Sequence, residues 1–372
     1  MKTLSETPKR TTARSVGLVH DYLLVMRGAE RVFAAIAECW PEAPIYTSLY
    51  SPAGTEGRFA DRTVRTSWLQ RLPIRQRGFR ALLPLYPRAI ERLPVGEHDL
   101  VVSSTSAFAH GVRPRAEAVH ISACHTPFRY IWHEHEIALE SAPRALRPVL
   151  ARRLAWHRRW DLEASHRVTH FITFSSLGRQ RIEATYGREA SVVHPGVELE
   201  RFAPAEPEDF FLFVGQLVPH KRVERALAAA ERAGASMAIV GEGPDLHRLQ
   251  ARYGATATFH GALADGELAA LYARARALVI PGVEEFGLTA LEAQASGRPV
   301  LALDAGGVRE TVVNGETGVL VDEDDPDSLA EAMREVDFDR FDPERLRRHA
   351  EGFSVDRFKQ RFAAEVARLA AL

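Results

Sequence analysis

VIPGVEEFGLTALEAQASGRPVLAL, residues 279–303, combines an apolar β run ending at Pro281, a turn carrying Glu284, a helix opened by Gly287 and a second β run, RPVLAL. Two β runs joined by a helix predict a parallel pair, because parallel strands need a crossover that returns the chain to the same end of the sheet. Ligands of open parallel sheets bind at the carboxyl ends of the strands, so the turn before Gly287 is where chemistry is expected. The free amides of Gly287, Leu288 and Thr289 would form a helix N-terminus suited to an anion such as a diphosphate. Glu284 and Glu292 stand eight residues apart, one in the turn and one after about the first helical turn, so both can face one ligand held at the elbow. A carboxylate there accepts hydrogen bonds from the vicinal hydroxyls of a ribose or a hexose. Exposed glutamates near helix starts are also common, and the spacing alone does not separate the two roles.

The same alternation extends in both directions. SVGLVH (15–20), PIYTSL (44–49), DLVVSS (99–104), AVHISAC (118–124) and THFITFS (169–175) form one series of β runs separated by amphipathic stretches. A second series, FFLFVG, SMAIVG, ATFHG, ALVIPG, RPVLAL and TGVLV, starts after the Pro/Glu-rich APAEPED at 203–209, which reads as a linker. The pattern predicts an α/β chain with two doubly wound domains facing a cleft. A length of 372 residues agrees with two domains at about 150 residues each. The expected division is a loose tail at 1–15, a first domain at 16–200 and a second at 201–353. Residues 354–372 place Val355, Phe358, Phe362, Val366 and Leu369 at helical spacing, with Ser354 as N-cap.

Composition narrows the class. Hydrophobic residues at 46% and charged residues at 26% are ordinary for a folded globular chain and argue against disorder or a disulfide framework. The two cysteines, Cys39 and Cys124, belong to no CxxC pair, which fits a reducing, cytoplasmic setting. The first fifteen residues lack the apolar run of a secretory signal, and no window approaches a spanning helix. Net charge is −1, yet residues 1–200 carry 28 basic against 20 acidic side chains and residues 201–372 carry 20 against 29. Such a polarity points to a basic face that meets lipid, nucleic acid or phosphate. It is concentrated at 62–93, with eight Arg, including Arg71, Arg75, Arg77 and Arg80, against the single acid Glu91. Trp68, Leu69, Leu72, Ile74, Phe79, Leu82, Leu83, Leu85 and Tyr86 are interleaved, which suits an anionic bilayer surface or a partly core-packed pair of helices. No RNA-reader motif accompanies it, so nucleic acid is not expected.

Three further stretches carry candidate chemistry. FVGQLVPHKRVERALAAA (213–230) ends a strand at Gly215 and places Lys221 and Arg222 in the following loop, and GEGPDLHRL (241–249) is a tight glycine turn at Gly241 and Gly243. CHTPFRYIWHEHE (124–136) contains His125, His133 and His135, but no matched third ligand pattern supports a metal. VHDYLLVMRGAERVF (19–33) reads as strand, loop and helix, with Arg27 and Gly28 at the turn.

EEFGLTALEAQASGRPV resembles the Glu-x7-Glu signature of retaining glycosyltransferases with the two-domain GT-B fold, glycosyltransferase family 4, and the similarity runs from about residue 16 to the C-terminus. The resemblance implies a terminal helix that returns to the first domain. It implies that Glu284 contacts the transferred sugar, that Glu292 contacts the donor ribose, and that His125 hydrogen-bonds the sugar. Lys221 matches a diphosphate-binding Lys, whereas Gln216 stands where the family usually has Arg; an amide cannot offset phosphate charge, which leaves more to Lys221 and Arg222. Gly28, Gly241, Gly243, Phe286, Gly287, Leu288 and Thr289 complete the implied donor side, with His125, Glu284 and Lys221 as catalytic residues. The family commonly has Gly-Gly where this chain has Arg27-Gly28, and Arg27 would not take a second glycine's positive φ cheaply. Gly306-Gly307 and Glu310 fall in a further loop near the donor. HDYLLVMRGAERV and the His125 segment also resemble mannosyltransferases acting on lipid-linked glycans. The implied activity is a metal-independent, cofactor-free transfer of mannose from GDP-mannose to a polyprenyl-diphosphate glycan, by a cytoplasmic enzyme at the inner face of the plasma membrane. A sugar phosphorylase, a nucleotide-sugar epimerase or a catalytically silent sugar-nucleotide or lipid-binding protein on the same scaffold are the alternatives.

Overall fold

The computed structural model describes residues 14–72, 82–140, 142–322 and 324–371. One sheet holds seven strands: β1 Val16–His20, β2 Ile45–Thr47, β3 Val64–Thr66, β4 Leu100–Thr105, β5 Val119–Cys124, β6 His170–Thr173 and β7 Ala190–Val192. Their spatial order is β3-β2-β1-β4-β5-β6-β7. The other sheet holds six: β8 Phe211–Val214, β9 Met237–Val240, β10 Ala257–Gly261, β11 Ala277–Ile280, β12 Val300–Leu303 and β13 Gly318–Val321, in the order β10-β9-β8-β11-β12-β13. All pairings of the second sheet are parallel, as are β1–β2, β1–β4, β2–β3 and β4–β5 of the first. Strand order reverses once per sheet, between β1 and β4 and between β8 and β11, and such a reversal opens a crevice at the strand ends.

Strands β8, β9, β11 and β12 of the second sheet are buried on both faces because they are apolar at every position, whereas the edge strand β10, with Thr258 and His260, alternates half-buried and exposed residues. Phe211, Phe213, Ile239, Val279 and Leu301 pack with Val223, Leu227, Leu329 and Met333 on one side. Their neighbours in sequence, Leu212, Ala238, Leu278, Ile280 and Val300, pack with Tyr272, Ala290 and Leu291 on the other. The two-residue alternation between cores is what covers this sheet with helices on both faces.

The strands of both predicted series are present, and two more exist. β3 and β7 are three-residue edge strands, half-exposed, and so lack the apolar run that marks a buried strand. β3 and a 3-10 turn, Trp68–Arg71, lie within the stretch whose packed alternative was a helix pair; its α-helix among the described residues is Tyr86–Glu91. By compactness the chain forms two units, Met1–Cys124 with Phe128–Phe171 and Val366–Leu372, and His125–Pro127 with Ile172–Glu365. The terminal helix spans Val355–Ala370, buries Phe358, Phe362, Val366 and Leu369, and has Ser354 Oγ accepting from the Arg357 N–H at 3.4 Å. Cys39 and Cys124 are free thiols. Among the described residues no helix is long and apolar enough to cross a membrane.

Candidate functional site

β8 and β11 lie side by side at the reversal of the second sheet, and the loops leaving their carboxyl ends bring the charged candidates together. After β8 the chain passes Gly215 and the half-buried Gln216 to a 3-10 turn, Pro219–Lys221, and then enters helix Val223–Ala233. Arg222 joins turn to helix at φ 53° and ψ 32°, a left-handed conformation that costs a non-glycine residue on the order of 1 to 3 kcal/mol. The two basic side chains then take different partners. Lys221 Nζ donates to both carboxylate oxygens of Glu284, at 2.6 and 2.5 Å, with both side chains about one-fifth exposed. Arg222 instead pairs with Asp324 at 3.2 Å, and Arg225 joins the same carboxylate. Asp324, in the acidic stretch DEDDPD at 322–327, therefore holds Arg222, the residue expected to share the diphosphate with Lys221.

Gly287, at φ 98°, turns the chain into helix Leu288–Ala295, so the first amides of that helix follow directly on the loop that carries Glu284. The loop is braced by 305–307: the Gly307 N–H donates to the Glu284 carbonyl at 2.8 Å, and a Cβ on Gly307 would lie 2.2 Å from Phe286 Cα. Gly241 and Gly243 serve a similar end. A Cβ there would fall 1.9 Å from the Gly215 carbonyl oxygen and 2.2 Å from that of Leu217, so both glycines let the β9 loop pack on the β8 loop.

One helical turn further, Glu292 accepts a 2.7 Å hydrogen bond on Oε2 from the hydroxyl of Tyr272, which helix Asp265–Arg274 buries to 1% exposure. Burial and the adjacent Glu292 charge hold the phenol well above its ordinary pKa, so it stays a donor at neutral pH. Sequence reasoning missed Tyr272, because in ELAALYARA it is one more member of an apolar helix seam. Glu310, on the short helix Val308–Thr311, accepts from the Ser176 N–H at 2.8 Å and from His194 Nε2 at 2.8 Å. Burial would raise its pKa, but these hydrogen bonds outweigh it and leave the carboxyl below its usual range. Glu285 pairs with Arg181, whose Nη1 also reaches Thr126 Oγ1 at 3.4 Å.

The family model for Glycosyltransferase Family 4 matches residues 26–201, and that for Glycosyl transferases group 1 continues over residues 198–352, the segment containing both carboxylates. The chain carries a Glycosyltransferase Family 4 domain followed by a Glycosyl transferases group 1 domain. Among its relatives, a GDP-mannose-dependent alpha-mannosyltransferase of Mycolicibacterium smegmatis is 35% identical over 188 residues, 47% of this chain and 49% of the relative. A D-inositol 3-phosphate glycosyltransferase of Streptomyces avermitilis is 35% identical over 212 residues, 47% of this chain and 45% of the relative. The chain thus spans about half the length of the curated relatives it matches. In fold it is similar to a sucrose-phosphate synthase from Thermosynechococcus elongatus, with a TM-score of 0.71 and 17% identity over 96% of this chain and 100% of that one. The fold is α/β and GT-B.

Elsewhere in the chain, His125 follows β5 and lies tilted against Phe174 with ring centroids 4.5 Å apart. Gly28 opens helix Gly28–Glu38, and Arg27 before it has φ −122°. No positive φ is needed at Arg27, so the missing glycine costs nothing in backbone strain. Its N–H is capped by Glu30 at 3.1 Å instead. Among the described residues no three His, Cys, Asp or Glu side chains converge as a metal site.

Among the described residues of 62–93, the apolar side chains are turned into the fold. Leu69, Leu82 and Tyr86 are core residues, and Trp68, Leu72, Leu83 and Leu85 pack against that core, because the chain here forms strand and 3-10 turn rather than a free amphipathic helix. Arg62 donates to the carbonyls of Ala37, Trp40 and Ala43, and Arg65 pairs with Glu97. Arg71 is exposed, whereas Arg75, Arg77, Arg80, Ile74 and Phe79 lie outside the described residues.

Proposed function

We propose that this chain is a retaining hexosyltransferase that moves mannose from GDP-mannose to a glycan on a polyprenyl diphosphate, at the cytoplasmic face of the membrane. The observation that carries the reading is the Lys221–Glu284 pair beside the helix that starts at Leu288, with Glu292 held by Tyr272 about one turn further on. A nucleoside diphosphate sugar fits that order of groups. The ribose diol would bind the Glu292 carboxylate, the diphosphate the amides of Gly287 to Thr289, and the sugar Glu284 and His125. The diphosphate would compete with Glu284 for the Lys221 ammonium. As the bond from the anomeric carbon to the leaving oxygen breaks, negative charge grows on the diphosphate, where Lys221 and the amides stabilise it most. The acceptor hydroxyl attacks from the same face and its proton passes to the leaving phosphate oxygen, which gives net retention. This design needs no metal ion.

The likeness to a GDP-mannose-dependent relative supports mannose. The lipid-linked acceptor is supported by the resemblance of the His20 to Val32 and Cys124 to Glu136 segments to mannosyltransferases of that kind. The test is a panel of nucleotide sugars in thermal shift, followed by transfer of labelled sugar to detergent-dispersed lipid-linked glycans and determination of the product anomer. A donor at 100 times its dissociation constant adds about 2.7 kcal/mol of stability. Stabilisation by GDP-mannose and an α-linked product are expected. Transfer from UDP-sugars alone would overturn the donor assignment, and an inverted product would overturn the mechanism.

A further inference from the structure

Helix Arg147–Ser165 turns Leu154, His157, Trp160, Asp161 and Ala164 into the protein. Its opposite side is unusual for a solvated helix. Val149, Arg152, Trp156 and Arg159 follow one another at spacings of three and four residues, so they form a single outward stripe. Val149 is 57% and Trp156 45% exposed, and Leu146, in the 3-10 turn just before the helix, is 57% exposed. Val149 and Trp156 are separated by about 10 Å along the axis, at about 1.5 Å per residue. Arg152, Arg153 and Arg159 are exposed and make no ion pair among the described residues. Glu163 closes the stripe in the last turn, and Glu136 and Glu140 lie on the preceding short helix, His135–Glu140.

We propose that this outward face of helix Arg147–Ser165 docks the protein on an anionic lipid bilayer. The pattern of side chains selects that occupant. A protein partner covering Trp156 and Val149 would also have to desolvate the adjacent guanidinium groups and supply carboxylates for them. An anionic headgroup layer takes both kinds at once, with arginines at the phosphates and the indole at the boundary with the acyl chains. The role sought at 62–93 thus falls on a helix face whose apolar side chains, Val149 and Trp156, are not used by the core. This surface rests on the reading of a lipid-linked acceptor, and it is tested separately from it.

Flotation of the whole chain with phosphatidylglycerol vesicles and with phosphatidylcholine vesicles, at low and high salt, provides the test. Binding to the anionic vesicles only, weakened by salt, is expected. Each basic residue near an anionic surface is worth about fivefold in partitioning, so Arg152→Ser with Arg159→Ser should lower it on the order of twentyfold. Trp156→Ser should remove the part that persists in high salt. These side chains are exposed, so the variants should keep the wild-type melting temperature. Arg88→Ser with Arg92→Ser, exposed but outside the stripe, should bind as wild type. Equal partitioning of the stripe variants and the wild type, or equal binding to both lipids, overturns the proposal. So does concentration-dependent self-association that the same substitutions abolish, which would make the stripe a contact between copies. Donor binding and transfer to a detergent-dispersed acceptor need no bilayer, so their loss would count against the proposed function and their retention beside absent vesicle binding against this surface alone.

Discussion

Replacing Tyr272 by Phe removes one oxygen from a buried ring and leaves the packing of helix Asp265–Arg274 intact. The lost contact is a 2.7 Å hydrogen bond from a phenol that is 1% exposed to the carboxylate of Glu292. Hydrogen bonds to charged groups contribute about 1.5 to 3 kcal/mol. Glu292 is only partly buried, so water can replace the phenol in part, and the lower end of that range is appropriate. The expected result is a nucleotide dissociation constant raised about tenfold, with turnover at saturating donor nearly unchanged, because in the proposed function the contact orients the group that binds the ribose rather than the reacting sugar. Titration calorimetry with the free nucleoside diphosphate measures the first, and initial rates the second. A double-mutant cycle makes the argument strict: in a Glu292→Ala background, Tyr272→Phe should change nothing further. Unaltered nucleotide affinity in Tyr272→Phe, or an additive loss in the double variant, would refute the claim that Tyr272 acts through Glu292.

Lys221→Ala should be nearly inactive, with a loss of at least 100-fold in turnover expected from removing the charge that the proposed function assigns to the leaving group; near-wild-type rates would transfer that role to another cation. Gln216→Arg should tighten nucleoside diphosphate binding without lowering the melting temperature, and unchanged affinity would show that position 216 does not face the phosphates. Glu30 is pushed up to about 7, above all by burial, so its protonated form suits the fold. The stabilisation it gives is full below the ordinary value of 4.5 and is lost as pH rises through 7. Glu30→Gln should therefore remove a pH-dependent loss of about 3 kcal/mol across that window, and parallel stability profiles for variant and wild type would count against it. Glu310 has the opposite sign: its lowered pKa makes it stabilising above the usual carboxylate range and less so as pH falls through it. Glu310→Gln should lower the melting temperature more at neutral pH than in acid, and an equal drop in both would exclude the ionised form as the stabilising one.

Much of the site was legible because its parts are local. Gly287 with the following amides is a turn and a helix start, and Glu284 and Glu292 sit in one strand-turn-helix segment, so a short window contains them. The roles of Gly241 and Gly243 were half legible: a tight turn was evident, but the carbonyls of Gly215 and Leu217 that demand the missing side chains come from another strand's loop. Arg222 was placed with Lys221 on adjacency alone. Its left-handed backbone sends it to Asp324, and nothing local announces that partner.

The sequence by itself determined the order of the apolar strands, the parallel sheets and the strand cores, though not the short edge strands β3 and β7, because burial of one face or both writes a period of two or a continuous apolar run into a single segment. Tertiary structure decided which loops meet. Lys221 and Glu284 are 63 positions apart and Tyr272 and Glu292 are 20 apart, and only the adjacency of β8 with β11 and the packing of helices under that sheet bring each pair within hydrogen-bond distance. It also decided which apolar side chains were left over. Trp68 and Leu72 share the cationic, apolar composition of Trp156 and Val149, but the core claims the first pair and leaves the second outside. Composition counts residues, whereas exposure depends on what the rest of the chain packs against them.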